Sequence, residues 1–199
     1  MSRRIWDIPG GIHPAENKQQ SLQSRIITAN IPDELVGPVQ QHIGTPGKAC
    51  VIVGDKVLKG QVIAEANGFV SIPTHAPTSG EIIAIESRPV QHPSQIDGLC
   101  VVIKADGNDQ WVDHCAISDY QSLERSDIIN AIRQAGIAGM GGAGFPSAIK
   151  LGIRPDVKIE QLILNSAECE PYITADDSLI QERADEVVAG LKIMQWLVK

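Results

Sequence analysis

The chain has 199 residues, 43% of them hydrophobic, enough to bury a real core in one large domain or two small ones. Its formal net charge of −7 argues against a nucleic-acid partner, which would need Lys and Arg concentrated on one face. Any phosphate must therefore be held locally. No run of about 18 apolar residues exists to form a membrane-spanning helix, and Met1 to Gly10, although it contains Arg3 and Arg4, has no apolar stretch of the secretory kind. The expectation is a cytoplasmic protein. Cys50, Cys100, Cys115 and Cys169 are scattered with no CxxC pair, so no zinc site or cluster cage is spelled out. Four reduced thiols are expected in that compartment.

Residues 1–30 are polar without a sustained period and read as an arm, with turn chemistry at Gly10, Gly11 and Pro14. Residues 31–104 change to short β-rich runs punctuated by Gly, Pro and Asp: Cys50 to Val53, Gln61 to Ala64, Phe69 to Ile72, Glu81 to Ile85 and Leu99 to Ile103. Lys59-Gly60-Gln61-Val62-Ile63-Ala64 is echoed by Ser79-Gly80-Glu81-Ile82-Ile83-Ala84, which predicts a module of two similar hairpin halves. Val53 to Gly60, with His75-Ala76-Pro77-Thr78-Ser79-Gly80 after it, resembles the flattened barrel of biotinyl and lipoyl carrier domains. A carrier needs a lysine at its hairpin tip, and no lysine occurs between Lys59 and Lys104. Covalent loading there is chemically impossible, and the module reads as structural or as a docking surface.

Residues 105–124 are polar and contain Trp111, a connector. Helical spacing follows at Ile128, Ile129, Ile132 and Ala135, with Ser126 as the expected N-cap and Gly136 placed for a left-handed C-terminal cap. Ile159 to Leu164 is an apolar run short enough for a buried strand, and Asn165 to Ala175 reads as a loop. The remainder aligns Ile180, Ala184, Val187, Val188, Leu191, Met194 and Val198 on one face of a long helix. Strand, loop and helix together are a start on an α/β domain over 125–199.

Two loops hold the chemistry. Gly139-Met140-Gly141-Gly142-Ala143-Gly144-Phe145-Pro146 matches GxGxxG formally, but it follows a helix rather than a strand, so a Rossmann assignment fails on context. Glycines without Cβ still let backbone approach a phosphate or a planar ring. Pro146 suits the first position of a helix aimed at that ligand, and Lys150 adds a charge one turn on. The alternative is a plain turn with a surface lysine. The second loop, Asn165-Ser166-Ala167-Glu168-Cys169-Glu170-Pro171-Tyr172, follows the expected strand, where ligands of open α/β sheets bind. Its carboxylates two positions apart suit ribose hydroxyls or an amide, and a solvated acidic loop is the ordinary alternative.

The stretches Gly139 to Lys150 and Asn165 to Pro171 resemble the flavin and NADH site of the nucleotide-oxidising subunit of respiratory complex I. Gly10-Gly11-Ile12-His13-Pro14, His75 to Gly80, the glycine loop and Ala167 through Asp177, taken in order, resemble the C subunit of the Rnf (Rsx) ion-translocating electron transport complex, a match over nearly the whole chain. The resemblance implies a barrel-sandwich β module followed by the start of a complex I flavoprotein-like α/β domain. It also implies that the chain is the amino-terminal part of a peripheral subunit on the cytoplasmic face of the bacterial inner membrane. That subunit exchanges electrons between NADH and its membrane partners, and it meets the membrane only through them. FMN would lie along Gly139, Gly141, Gly142 and Gly144 with Lys150 at its phosphate, and Asn165 and Glu168 would line the flavin. Phe145 and Glu170 would meet the nicotinamide nucleotide. Two 4Fe–4S clusters are expected in a carboxyl-terminal part, since their closely spaced cysteines are not in these residues.

Some residues depart from the complex I pattern. Met140 stands where arginine is common, and Ala167 and Cys169 replace an acidic residue and a glycine. Cys169, flanked by two glutamates, lacks the electropositive setting of a reactive thiol. His13 and His75 have no metal-ligand spacing, and turn-stabilising roles are expected of them. No Ser, His and Asp set is arranged for nucleophilic catalysis. The competing functional reading is a non-catalytic assembly module that binds no nucleotide.

Overall fold

The computed structural model describes residues 10–92, 94–114, 116–142, 144–154 and 156–199. The first nine residues of the arm, including Arg3 and Arg4, together with Ala143 of the glycine motif and the Cys115 thiol, lie outside the described residues. The chain divides into two compact units, a larger one of Ala29–Glu160 with Ile193–Lys199 and a smaller one of Gln161–Lys192 with the chain up to Thr28.

In the larger unit the β-rich runs fold as seven strands: β1 (Glu34–Pro38), β2 (Lys48–Ala49), β3 (Lys56–Val57), β4 (Val62–Glu65), β5 (Thr74–His75), β6 (Gly80–Pro89) and β7 (Asp97–Ala105). Two sheets result, one in the order β1-β7-β6-β3 and one in the order β2-β4-β5, with every pairing antiparallel. They share one core in which Ile63, Ile82, Val101 and Ile103 are at most 1% exposed. Burying such side chains supplies roughly 1.5–3 kcal/mol each before entropy is counted. The expected barrel-sandwich architecture is therefore present.

The strands expected over Gln61 to Ala64, Glu81 to Ile85 and Leu99 to Ile103 coincide largely with β4, β6 and β7. Those expected at Cys50 to Val53 and Phe69 to Ile72 do not form. Ile52, Val53 and Phe69 are 70%, 59% and 73% exposed, and Asp55 turns the chain by accepting the Ile52 N–H at 2.8 Å. Cys50 N–H still reaches the Ile63 carbonyl of β4 at 3.0 Å, but the ladder does not continue, and high β propensity alone does not extend it.

The hexapeptide echo has a structural counterpart. Between Val62 and Ala64 the register of β4 against β5 shifts by one residue, and between Ile82 and Ala84 that of β6 against β7 does the same. The extra residues, Ile63 and Ile83, occupy the same place in the two copies, one copy in each sheet. Each bulge bends its strand and interrupts the alternation of faces.

Polar residues that read as connector complete the barrel wall. Lys59 N–H donates to the Gln110 carbonyl at 2.8 Å, and Val112 N–H donates to the Lys59 carbonyl at 3.0 Å. The Lys59 ammonium lies 2.6 Å from the Asp109 carboxylate, which also accepts from Thr78 Oγ1 at 3.0 Å. This hydrogen bond from Lys59 holds the Asp109 carboxyl below its ordinary value.

The helical period produces α1 (Arg125–Gln134), and a short α2 (Ser147–Leu151) follows the glycine loop. The expected N-cap, Ser126, lies inside α1; Glu124 flanks its start in an extended conformation, with its carbonyl accepting the Asp127 N–H. The expected C-terminal cap at Gly136 does form. Its φ is +68°, its N–H reaches the Arg133 carbonyl, and Ile137 N–H reaches Ile132, the paired bonds of a Schellman motif. Arg133 then donates to the Gly68 and Phe69 carbonyls at 2.7 and 3.0 Å, tying α1 to the β4–β5 connection. A second core gathers Ile128, Leu151 and Leu197, with Tyr120 edge-on to Trp196 at 5.8 Å.

The buried strand expected at Ile159 to Leu164 is not there. These residues form no ladder, and Ile163 is 77% exposed. An extended apolar run becomes a strand only when a neighbour accepts its hydrogen bonds, and no described residue does so.

The final long helix is present as α3 (Ala175–Leu197), with a break at Arg183. Of the expected stripe, Met194 and Val198 pack into the second core, while Ile180 and Val188 remain 37% and 46% exposed. No helix among the described residues is long and apolar enough to cross a membrane. In the smaller unit a 3-10 helix (Lys18–Gln23) accompanies the loop 165–174 and α3 up to Lys192.

Two measurements test this packing. Ile82→Ala, at a site with no exposure, is expected to lower unfolding free energy in urea by about 2–5 kcal/mol, whereas Ile52→Ala on the surface changes it by less than about 0.5 kcal/mol. Equal effects would contradict the sandwich core. The second concerns His75, whose partial burial pushes its pKa below the ordinary 6.5 while the Gln134 backbone pulls weakly the other way. Below about pH 6.5 the unfolded chain binds this proton before the folded one does, so stability falls as pH drops through that value. His75→Gln is expected to flatten the slope of melting temperature between about pH 7 and 5.5, and an unchanged slope would remove His75 from the titration.

Candidate functional site

The candidate residues divide between the two units. Gly139, Gly141, Gly142, Gly144, Phe145 and Lys150 belong to the larger, and Asn165, Glu168 and Glu170 to the smaller.

The glycine loop leaves α1 at Gly136. A Cβ there would stand 2.8 Å from the Pro73 carbonyl and 3.0 Å from the His75 ring, so glycine is required by close approach as well as by its φ. The stem of the loop closes through Gly139 N–H to the Phe145 carbonyl at 2.8 Å and Ser147 N–H to the Ile137 carbonyl at 2.9 Å. Gly144, at φ +57°, then sits on the β module. Its carbonyl accepts Ile43 N–H at 3.0 Å, and a Cβ on it would lie 3.1 Å from His42 Cα.

The middle of the loop is open. At Gly141 and Gly142 an added Cβ would meet no atom of the described residues within 4 Å, their chain neighbours aside. Lys150 stands over the Phe145 ring at 5.6 Å, near Gly139, and makes no ion pair among the described residues. Pro146 flanks α2 instead of starting it, and the Ser147 N–H is already engaged by Ile137. With five residues, α2 adds little macrodipole, so the positive charge offered here is that of Lys150.

A cavity of about 400 Å³ lies between the loop and the β module, lined by Gln41, His42, Thr74, Gly136, Gly139 and Met140 among others. The sequence reading missed this wall, because no motif surrounds Gln41 or His42. The His42 ring is 7% exposed. Its Nε2 accepts Ile72 N–H at 3.2 Å and its Nδ1 lies 2.8 Å from the Ile43 carbonyl, an arrangement that assigns the proton to Nδ1. Met140 is 98% exposed at the rim.

In the smaller unit, Asn165 Oδ1 accepts Ala167 N–H at 2.9 Å and starts the acidic loop as an Asx turn. Glu168 Oε1 accepts the N–H groups of Asp176 and Asp177 at 2.7 and 3.2 Å. It therefore caps α3 from eight residues upstream, a role its spacing did not announce. Glu170 is exposed and has no hydrogen bond among the described residues, and Cys169 is an exposed free thiol. Among the described residues no group of three or more His, Cys, Asp or Glu is arranged to hold a metal. Tyr172 has φ +68°, uncommon for an aromatic residue, and the arm binds its backbone on both sides: its N–H donates to the Glu16 carbonyl at 2.8 Å and its carbonyl accepts Ser21 Oγ.

Known proteins match these features in chain order. Residues 6–108 match the RnfC barrel sandwich hybrid domain, and residues 132–199 match the Nuo51 FMN-binding domain. The chain is 52% identical over 198 residues to the C subunit of the ion-translocating oxidoreductase complex of Serratia proteamaculans, an alignment covering 98% of this chain and 28% of that protein. It is 50% identical over 200 residues to the corresponding protein of Vibrio cholerae O395, covering 100% of this chain and 26% of the relative, and 48% identical over 198 residues to that of Pectobacterium carotovorum, covering 98% and 26%. It thus spans about a quarter of the length of the curated relatives it matches. With the sandwich module matched over more than half of its length and the start of an FMN-binding domain behind it, the chain belongs to the RnfC family of ion-translocating oxidoreductase subunits.

Proposed function

We propose that the chain is the amino-terminal part of a subunit lying peripherally on the cytoplasmic face of the bacterial inner membrane, which passes electrons between NADH and ferredoxin or other carriers of an Rnf complex as ions are translocated. Its parts in this reading are an arm (1–30), a sandwich module (31–104), a connector (105–124) and an incomplete FMN and NADH domain (125–199). The two 4Fe–4S clusters belong to the length of the subunit that this chain does not span.

One observation supports the reading above the others: open backbone at Gly141 and Gly142 in a loop that also borders a cavity of about 400 Å³ and, near Gly139, a Lys150 ammonium with no ion pair among the described residues. Those features fit a flat, phosphorylated ring system. Gly139, Gly141, Gly142 and Gly144 would follow the FMN phosphate and ribityl chain, with Lys150 neutralising the phosphate. Asn165 and Glu168 would line the flavin, and Phe145 and Glu170 would meet the nicotinamide nucleotide. Because Glu168 Oε1 is engaged by two backbone N–H groups, Glu170 is the loop carboxylate most open to a ligand hydroxyl. Bound FMN supplies hydride acceptance from NADH and release of electrons one at a time. The residues of this chain supply orientation, charge and exclusion of water.

A second reading, an assembly module that binds no nucleotide, draws support from the missing ladder at 159–164, which leaves the acidic loop without a sheet behind it. FMN titration of the complete subunit separates the two. A ligand at 100 times its dissociation constant stabilises the folded state by about 2.7 kcal/mol, so a clear rise in melting temperature is expected. Gly141→Val is expected to abolish that rise while changing the melting temperature without FMN little, since a Cβ there meets no described atom within 4 Å. Retained FMN binding in the variant would remove the glycine loop from the site, and no rise even in the unsubstituted subunit would favour the assembly reading.

A further inference from the structure

The arm is held to its own chain by side chains as well as backbone. Besides the bonds to Tyr172, Lys18 Nζ donates to the Ile173 carbonyl at 2.9 Å, and Glu182 on α3 accepts Ile26 N–H at 3.0 Å. Three of these contacts, from Glu16, Lys18 and Ser21, fall on Tyr172 or the residue after it, and Tyr172 is the one described residue of the loop and α3 with a positive φ. A left-handed aromatic residue persists only where its surroundings over-determine it. Here both polar groups of the Tyr172 backbone are claimed by the arm, through Glu16 on one side and Ser21 on the other, while Lys18 holds the next carbonyl. On the other flank of the acidic loop, Glu168 is fixed to the start of α3. Cys169 and Glu170 lie between two anchors.

We propose that Lys18 and Ser21 are positioning residues, acting through Tyr172, that clamp the acidic loop in the shape in which Glu170 is offered to the nicotinamide nucleotide; this rests on the nucleotide reading given above. Without the clamp, Tyr172 relaxes to a negative φ, the chain direction after Pro171 changes, and Glu170 loses its fixed place. The arm's role is thus internal: it sets the geometry of a loop 151 to 155 residues away in sequence.

The test uses the complete subunit with Lys18→Ala and Ser21→Ala introduced together. Hydrogen exchange of backbone amides 166–177 is expected to speed up by about tenfold, with the amides of β6 and β7 unchanged, and the NADH dissociation constant is expected to rise by about tenfold. Adding Tyr172→Asn, a residue that tolerates positive φ, is expected to restore most of both losses, which a merely packing role for the arm would not produce. Unaltered exchange in the double variant overturns the clamp whether or not nucleotide binds, and so does faster exchange with NADH affinity unchanged. Failure of the unsubstituted subunit to bind NADH overturns the nucleotide reading instead, and the exchange rates still decide the clamp.

Discussion

The close approach of backbone to backbone at Gly136 governs where the glycine loop can go. The Schellman turn there reverses the chain at the end of α1, and the absence of a side chain lets it press against the Pro73 carbonyl and the His75 ring. Arg133, one turn earlier, secures the same junction by reaching two carbonyls of the β4–β5 connection. From this fixed exit the loop has one course, down onto Gln41–Ile43, where Gly144 is held by Ile43. Both ends are therefore anchored by main-chain bonds, and an added side chain would find open space at Gly141 and Gly142 among the described residues.

Around that frame most polar groups are already engaged. Both nitrogens of His42, the Gly139 and Ser147 N–H groups, and the Gly144 carbonyl have partners within the larger unit. In the smaller unit Asn165 and Glu168 are occupied in the same way. Engaged groups hold shape. Among the described residues of the two loops, the Lys150 ammonium makes no ion pair and the Glu170 carboxylate no hydrogen bond. Supporting bonds of this kind are what keep a binding constellation from loosening.

The parts of this arrangement that sequence revealed are those set by local chemistry. A helix stop written as Gly136, four glycines in six positions, and a repeated hexapeptide each reflect a constraint that acts within a few residues, and each has its counterpart in the fold. Periodicity was a weaker guide. It marked Ile159 to Leu164 as a strand, because an apolar run looks the same whether or not a neighbouring strand exists to pair with it. It also misread Cys50 to Val53 and Phe69 to Ile72, where turns at Asp55 and Gly68 interrupt the strands and leave Ile52, Val53 and Phe69 in solvent although Val51 and Ile72 stay buried. The bulges at Ile63 and Ile83 break the alternation that a period of two relies on. Contacts across long sequence distances left no trace at all: Lys18 and Ser21 meet partners 155 and 151 positions away, and the wall of the cavity at His42 lies in a stretch without a motif.

The extended run before the acidic loop has a bearing on how this span behaves by itself in solution. Leu162, Ile163 and Leu164 are 37%, 77% and 45% exposed, and their backbone groups enter no ladder among the described residues. Exposed apolar side chains whose neighbouring backbone is outside any ladder bind little of the fold together, so a charged substitution at Ile163, the most exposed of the three, costs little stability while making the stretch better solvated.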